Sequence, residues 1–379
     1  MSFISGKVSG NNIRTYEFDT VKTDKTQRYS RERSKSAHGA APSFFPGARP
    51  FNPQNFRDAW PLSELCAEAT LLFTDPIKDN PAGCDDYTLF AWALSALTLS
   101  PVMSALLKEA AAEGWHLALD DLDSHDFHLD VPDRVIVIGN NGLSASALGQ
   151  SGYFRNILLV SLIRGLRDAW QEKRHGGFDT EYAPETVLAL ERVRAADLDV
   201  IATLAGWELR SEGYTDLWRH LIGSEEGDIA MCFSTYLERD PTALFNGAAL
   251  AAAFARWFRN EERVDACDHE TLEYIDEVLT ANPGTNPFGH TKLRPVGIEI
   301  LSCMPDKTAY LRGRGADILA DPLYAGLGDP VNQSHLMHIL YDLQVTYAGN
   351  VPFRDPVLAA KIFPEETSRE TGEAFLETK

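Results

Sequence analysis

From Tyr153 to Arg174 the chain reads YFRNILLVSLIRGLRDAWQEKR. At about 100° per residue, Phe154, Leu158, Leu159, Leu162, Ile163, Leu166, Ala169 and Trp170 share one broad sector. That spacing predicts a helix whose apolar face is wide enough for a domain core. A second long helix is expected from Pro184 to Arg210, closed by Gly213. With Val193 at zero on its wheel, Ala196, Val200, Leu204 and Trp207 form a stripe, and Asp197 lies inside it.

The remaining elements follow from the same periodicities. From Phe56 to Ala112 the pattern is helical, broken at Asp75-Pro76 and at Asn80-Pro81-Ala82-Gly83. Between Trp115 and Gly139 the period shortens, and WHLALDDL, DFHLDV and RVIVIG, separated by turn residues, predict a small antiparallel meander. Ser224, Glu226 and Asp228 open a helix running to Arg239. Further helices carry Leu250, Phe254, Trp257 and Phe258, then Leu272, Ile275 and Leu279. Beyond Asn282 glycine and proline dominate, with VGIEILSCM as a candidate edge strand and SHLMHILYDLQ as a helix. The fold class is therefore α+β, mostly helical, with a small antiparallel sheet. Three regions result: a flexible arm over 1–55, a core over 56–281, and a loop-rich extension with a helix and polar tail over 282–379.

Composition narrows the function classes. With 55 acidic against 35 basic residues the formal charge is −20, which repels nucleic-acid backbones and anionic membranes. The basic patch YSRERSKS and Phe44, Phe45 and Phe51 lie in the arm, where charge complementarity with the acidic body is expected. Five scattered cysteines without a C-x-x-C fit free thiols in a reducing cytoplasm. No leader pattern opens the chain, so a cytoplasmic location is expected. Tyr87 to Leu107 has no charge over 21 residues, long enough to span a bilayer. Its serines and threonines, and Ser100-Pro101 as an N-cap followed by proline, predict two core helices instead.

Candidate chemistry concentrates on the Tyr153 helix. Arg164 and Asp168 stand four apart, as stacked neighbours, and Gly165 beside them costs about 1 kcal/mol relative to alanine in a helix interior. Histidines and carboxylates between His116 and Asp133, including His125 and His128, match no metal-loop spacing and read as a solvated acidic turn. His220 and His269 lie near helix ends, where a cationic or capping role is expected. His335, His338 and Asp342 share one face of the C-terminal helix, without a second segment to complete a metal set.

The spacing at Arg164 is that of H-E-x-x-H, in which two histidines bind zinc and the glutamate activates water. The segment RGLRDAWQ resembles a bacterial family of uncharacterised zinc metallopeptidases, zincin-like, whose helix reads roughly H-E-L-R-H-x-x-Q. RVRAADLDVIATLAGWELR, DLWRHLIGSEEGDIA and DPTALFNGAALAAAFARWF are also similar, so the resemblance runs from about Trp115 to Leu279. It implies a sheet packed on a site-bearing helix, and a third ligand from a later helix, where Asp197 is the inward-facing candidate.

This sequence departs from the motif at every chemical position. Arg164 cannot ligate zinc, Gly165 has no carboxylate, and Asp168 is one hard ligand alone. A degenerate member is therefore expected, with no metal, no cofactor and no catalytic residue. It would bind a peptide or protein partner in the inherited cleft. Arg164 and Asp168 then form either an i, i+4 ion pair on a solvated face or a cross-link across that cleft, and Asp197 pairs with Arg164 or Arg167. One alternative is a hydrolase built on Asp168, Asp197 and His335 or His338. The other is a structural helical module acting through its surface.

Overall fold

The computed structural model describes residues 59–122, 126–175, 180–282, 286–343, 346–348, 351–353 and 361–362. The expected arm over 1–55, with its basic patch and three phenylalanines, lies outside these residues, as does His125. Strand β1 (Trp60–Pro61) leads into helices α1 (Leu62–Leu72), α2 (Asp86–Leu97) and α3 (Pro101–Ala112). The uncharged stretch is indeed two helices. Ser100 caps α3 by accepting from Met103 N, with Pro101 in the first turn. Nine consecutive residues of α2, Leu89 to Leu97, are buried. No described helix is long and apolar enough to cross a membrane.

Strands β2 (His116–Asp120), β3 (Phe127–Asp130) and β4 (Val135–Gly139) complete a four-stranded sheet in the order β1-β2-β4-β3. The fold class is α+β as expected, but the strands do not form an antiparallel meander. β4 lies between β2 and β3, antiparallel to β3 and parallel to β2, with Leu117 opposite Ile136. The reason lies in β4 itself, VIVIG, which is buried at all five positions. A strand apolar on both faces belongs in the middle of a sheet. Ile136 and Ile138 enter the main core, while Val135 and Val137 join a small cluster with Ala118 on the other face.

After α4 (Ala145–Gln150) come the two long helices α5 (Gly152–His175) and α6 (Pro184–Ser211). The apolar sector of α5 is buried as predicted, Leu159, Leu162, Ile163, Leu166 and Ala169 fully so. The opposite side is not solvated. Ser161, Arg167 and Gln171 are buried too, because α5 is covered by the sheet, α3 and α6 together. Gly165 is seven residues from Leu158, almost two full turns, so it faces the sheet. A Cβ there would stand 2.7 Å from Ile136 Cγ2 and 3.4 Å from Phe127 Cδ2.

The chain continues through α7 (Thr215–Gly223), α8 (Gly227–Arg239), a 3-10 turn (Pro241–Ala243), α9 (Ala248–Trp257) and α10 (Glu261–Ala281). VGIEILSCM is not an edge strand. Its first residues fall in helix α11 (Pro295–Leu301), with Pro295 in the first turn and Ile298 and Leu301 buried three apart. Short helices α12 (Gly315–Ala320) and α13 (Pro322–Ala325) precede α14 (Pro330–Leu343) and a hairpin of β5 (Thr346–Ala348) and β6 (Val351–Phe353). Ile298, Leu301, Tyr310, Leu311 and Ile318 belong to the main core. α14 rests on a smaller cluster containing Val187, Leu188, Leu272, Ile275, Phe288 and Ile339.

Candidate functional site

Helices α5 and α6 are fastened by arginine–carboxylate pairs whose numbering runs in opposite directions, so the helices are antiparallel. Arg164 meets Asp199, Arg167 meets Asp197, and Asp168 meets Arg194. The candidate residues Arg164 and Asp168 therefore do not pair with each other. The i, i+4 surface ion pair is replaced by two cross-links to α6. Asp168 Oδ1 accepts from Arg194 Nη2 at 2.6 Å, and Glu172 lies 3.5 Å from the same nitrogen. Burial opposes the charge on Arg194, but Asp168, Glu191 and Glu172 outweigh it and raise the guanidinium's pKa.

Around Arg164, carboxylates converge from three elements. Nε donates to Asp199 Oδ1 at 2.9 Å, Nη1 to Asp126 Oδ2 at 3.0 Å, and Nη2 to Glu226 Oε1 at 2.6 Å. Asp126 directly precedes β3, Asp199 is on α6, and Glu226 directly precedes α8. Asp199 also accepts from the Trp257 indole at 2.9 Å, and Glu226 from Ser224 Oγ at 2.7 Å. The Arg164 side chain is 14% exposed, against 48% for Asp126, 25% for Glu226 and 11% for Asp199.

Charge states follow from that placement. Burial disfavours a charged Arg164, yet Asp199, Glu226 and Asp126 more than compensate and lift its pKa. Burial likewise works against Glu226, but Arg164 and the Ser224 hydroxyl hold it down to about 2. Asp199 moves the other way: its burial, reinforced by Glu226, exceeds the pull of Arg164 and raises it. One guanidinium serves three carboxylates, and the most enclosed of them gains least. His220, whose ring meets Tyr153 edge-on, is pushed down by burial, with Glu226 opposing and Arg164 adding to the shift.

Asp197 belongs to a separate buried network. Its oxygens accept from Arg167 Nε at 2.6 Å, Arg167 Nη2 at 3.1 Å, Gln171 Nε2 at 2.6 Å and the Tyr310 hydroxyl at 2.7 Å. The expected partner Arg167 is thus the observed one. Arg167 also donates to the Leu301 carbonyl at 3.0 Å and stacks over Trp170, 4.4 Å from the ring centroid. Burial and the neighbouring Asp197 push the Tyr310 hydroxyl well above its ordinary range. With four donors on two oxygens, Asp197 is a structural anchor.

On the H-E-x-x-H spacing expected from the sequence, imidazoles would be needed at Arg164 and Asp168 and a glutamate at Gly165, which is pressed on Ile136. Among the described residues no three histidine, cysteine, aspartate or glutamate side chains are grouped to hold a metal. The residues present do not fit a zinc ion. The hydrolase alternative gains no support: His335 Nε2 lies 2.5 Å from Asp276 Oδ2 on α10, while Asp168 bonds Arg194 and Asp197 bonds Arg167, Gln171 and Tyr310.

Asp199, Asp126, Glu226, Arg194 and Tyr310 were not singled out by sequence reasoning. A usable signal was present in the complementary charges of the two long helices, Arg164, Arg167, Asp168 and Glu172 facing Arg194, Asp197 and Asp199. No such signal marked Asp126 or Glu226, which come from other elements. Elsewhere on the surface, one depression is lined by Arg314, Asp317, Ile318, Asp321 and Tyr324, and another by Ser63, Cys66, Leu107 and Lys108 among others. Neither includes Arg164.

Residues 152–311 match a family model described as "Putative metallopeptidase family (DUF6782)". The match begins at the first residue of α5 and contains Arg164, Asp168, Asp197, Asp199 and Glu226, while the sheet and Asp126 precede it. Over that stretch the chain is metallopeptidase-like. No curated protein and no solved structure matches the chain.

Proposed function

We propose that this metallopeptidase-like protein is not a hydrolase and instead binds a peptide or protein partner at the face formed by α5 and β3. The observation that carries the reading is the Arg164 guanidinium bonded to Asp126, Asp199 and Glu226 on the helix that would carry the zinc ligands. A guanidinium keeps its proton in water, so it supplies neither a metal-ligand lone pair nor a general base. The two residues that would complete a catalytic set are equally committed, Asp168 to Arg194 and Asp197 to Arg167.

Partner binding is supported by the sheet edge beside the cluster. Among the described residues β3 is the last strand of the sheet, paired with β4, and an edge strand is where an extended segment can add to a sheet. Asp126, which fixes the start of β3 to Arg164, is at that edge.

The test uses the full chain. After incubation with zinc and dialysis, elemental analysis is expected to find less than stoichiometric metal, and a mixed peptide substrate pool is expected to remain intact. Peptides selected on the immobilised protein are expected to slow hydrogen exchange across residues 126–130. Stoichiometric zinc, or peptide cleavage lost on chelation, would overturn the non-hydrolytic reading. Bound peptides that protect another surface would overturn the β3 site.

A further inference from the structure

We infer that the seam between α5, α6 and α11 contains a water-binding site, in which Arg167, Gln171 and His175 hold one internal water. The inference is independent of what the protein binds at β3.

Placement comes first. The three residues stand at i, i+4 and i+8 on α5, each step turning by about 40°, so they share one face. Arg167 and Gln171 are 0% exposed, and both bond Asp197 on α6. Toward α11, Arg167 Nη2 donates to the Leu301 carbonyl and the His175 ring to the adjacent Ile300 carbonyl. These shared partners confine the three side chains to one part of the interior. There, Arg167 Nη1, Gln171 Oε1 and His175 Nε2 are buried and have no bonding partner among the described residues.

The orphaned atoms specify the ligand. Gln171 donates through Nε2 to Asp197, which leaves Oε1 as an acceptor. His175 is kept neutral by burial and by Arg167, Arg194 and Arg174, and with one ring nitrogen donating to Ile300 the other carries a lone pair. Arg167 Nη1 offers N–H groups only. One donor group thus faces two acceptors. An anion would be opposed by both lone pairs, and a cation by the guanidinium. Water satisfies all three at once, accepting from Arg167 and donating to Gln171 and His175, and about three bonds is the usual complement of a buried water. Left unpaired in a low-dielectric interior, the same atoms would each carry a desolvation penalty. The water therefore extends the Asp197 network by one link and joins it, through His175, to the carbonyl end of α11.

Two measurements on the full chain test this. A crystal structure is expected to show a spherical density peak within hydrogen-bond distance of Arg167 Nη1, Gln171 Oε1 and His175 Nε2. In protein carrying isotope-labelled histidine, the His175 Hε1 proton is expected to give a cross-relaxation peak to water with the sign of a long-lived contact, and His175→Gln identifies the signal by removing it. Should His175→Gln fail to fold, the signal is assigned instead by the ring contact with Trp170, whose centroid lies 6.2 Å away. Direct bonding among the three side chains, empty density between them, or an ion in place of water each overturns the proposal. A missing cross-peak between His175 and water overturns it as well.

Discussion

The Asp168 carboxylate forms no ion pair with Arg164, one turn earlier on the same helix, and instead accepts a 2.6 Å bond from Arg194 on the neighbouring helix. The two positions that would be paired zinc ligands in H-E-x-x-H thus serve separate cross-links between α5 and α6. Exposed i, i+4 pairs contribute a few tenths of a kcal/mol. Buried inter-helix pairs cost far more to break, because the partner left behind is an unpaired charge. Energetically, these positions are the seam between the two longest helices.

The strongest stitch in that seam is Arg167 with Asp197, 0% and 1% exposed. Asp197→Asn leaves a buried guanidinium without its counter-charge, and the expected loss is about 3–5 kcal/mol of unfolding free energy. Arg167→Met combined with Asp197→Leu removes both charges and is expected to cost less than Asp197→Asn alone. Urea denaturation of the three proteins checks this, and a double variant weaker than the single one would contradict it.

Gly165 looked like a glutamate lost from a motif, but the sheet leaves no space for any side chain. Its absent Cβ would lie 2.7 Å from Ile136 Cγ2, a residue itself 0% exposed. Overpacking of this kind costs about 1–3 kcal/mol, while alanine recovers about 1 kcal/mol of helix propensity. Gly165→Ala is therefore expected to destabilise by about 1 kcal/mol, and Gly165→Glu to prevent folding. A Gly165→Ala protein with a urea midpoint above wild type would show that α5 does not press on β4.

Local signals made much of this legible in advance. The apolar sector of α5, the Ser100-Pro101 helix start and the start of α6 at Pro184 all depend on neighbours within a few residues. Asp197 and Arg167 were also readable as partners, since an aspartate in an apolar stripe needs a nearby cation. The Arg164 cluster was not, because its carboxylates lie 35, 38 and 62 residues away along the chain. Polar side chains outside an apolar stripe look solvated until the covering elements are placed. The central position of β4 was missed for a related reason: VIVIG states that both faces are buried but not which strand lies beside it. Within VGIEILSCM, the Ile298 to Leu301 spacing of three and the proline ahead of it outweighed strand propensity.

His175 ends α5 under burial and close to Arg167, Arg194 and Arg174, which together push it down to about 4. The folded protein thus holds a neutral imidazole while the unfolded chain protonates near pH 6.5. Between those values the unfolded state binds more protons, so stability falls as pH drops from about 6.5 to about 4, by up to about 3 kcal/mol. His175→Gln is expected to flatten that limb of the stability curve. Imidazole resonances followed by NMR should titrate near pH 4, and a midpoint near 6.5 would refute the assignment.

Glu226 governs the next step toward acid. Its carboxyl is held at about 2 by Arg164 and Ser224 against the effect of burial, while an unfolded glutamate titrates near 4.5. A lowered carboxylate contributes stability that is complete above its unfolded pKa and is lost as pH falls toward its folded one. With a quarter of the side chain exposed, the contribution is about 2–3 kcal/mol. Asp199, raised by burial, shifts in the opposite sense. Replacing Glu226 by glutamine is expected to lower stability by that amount at pH 7 and by almost nothing at pH 2. Denaturation midpoints across that range measure the gap, and a difference independent of pH would mean that Glu226 acts by packing alone.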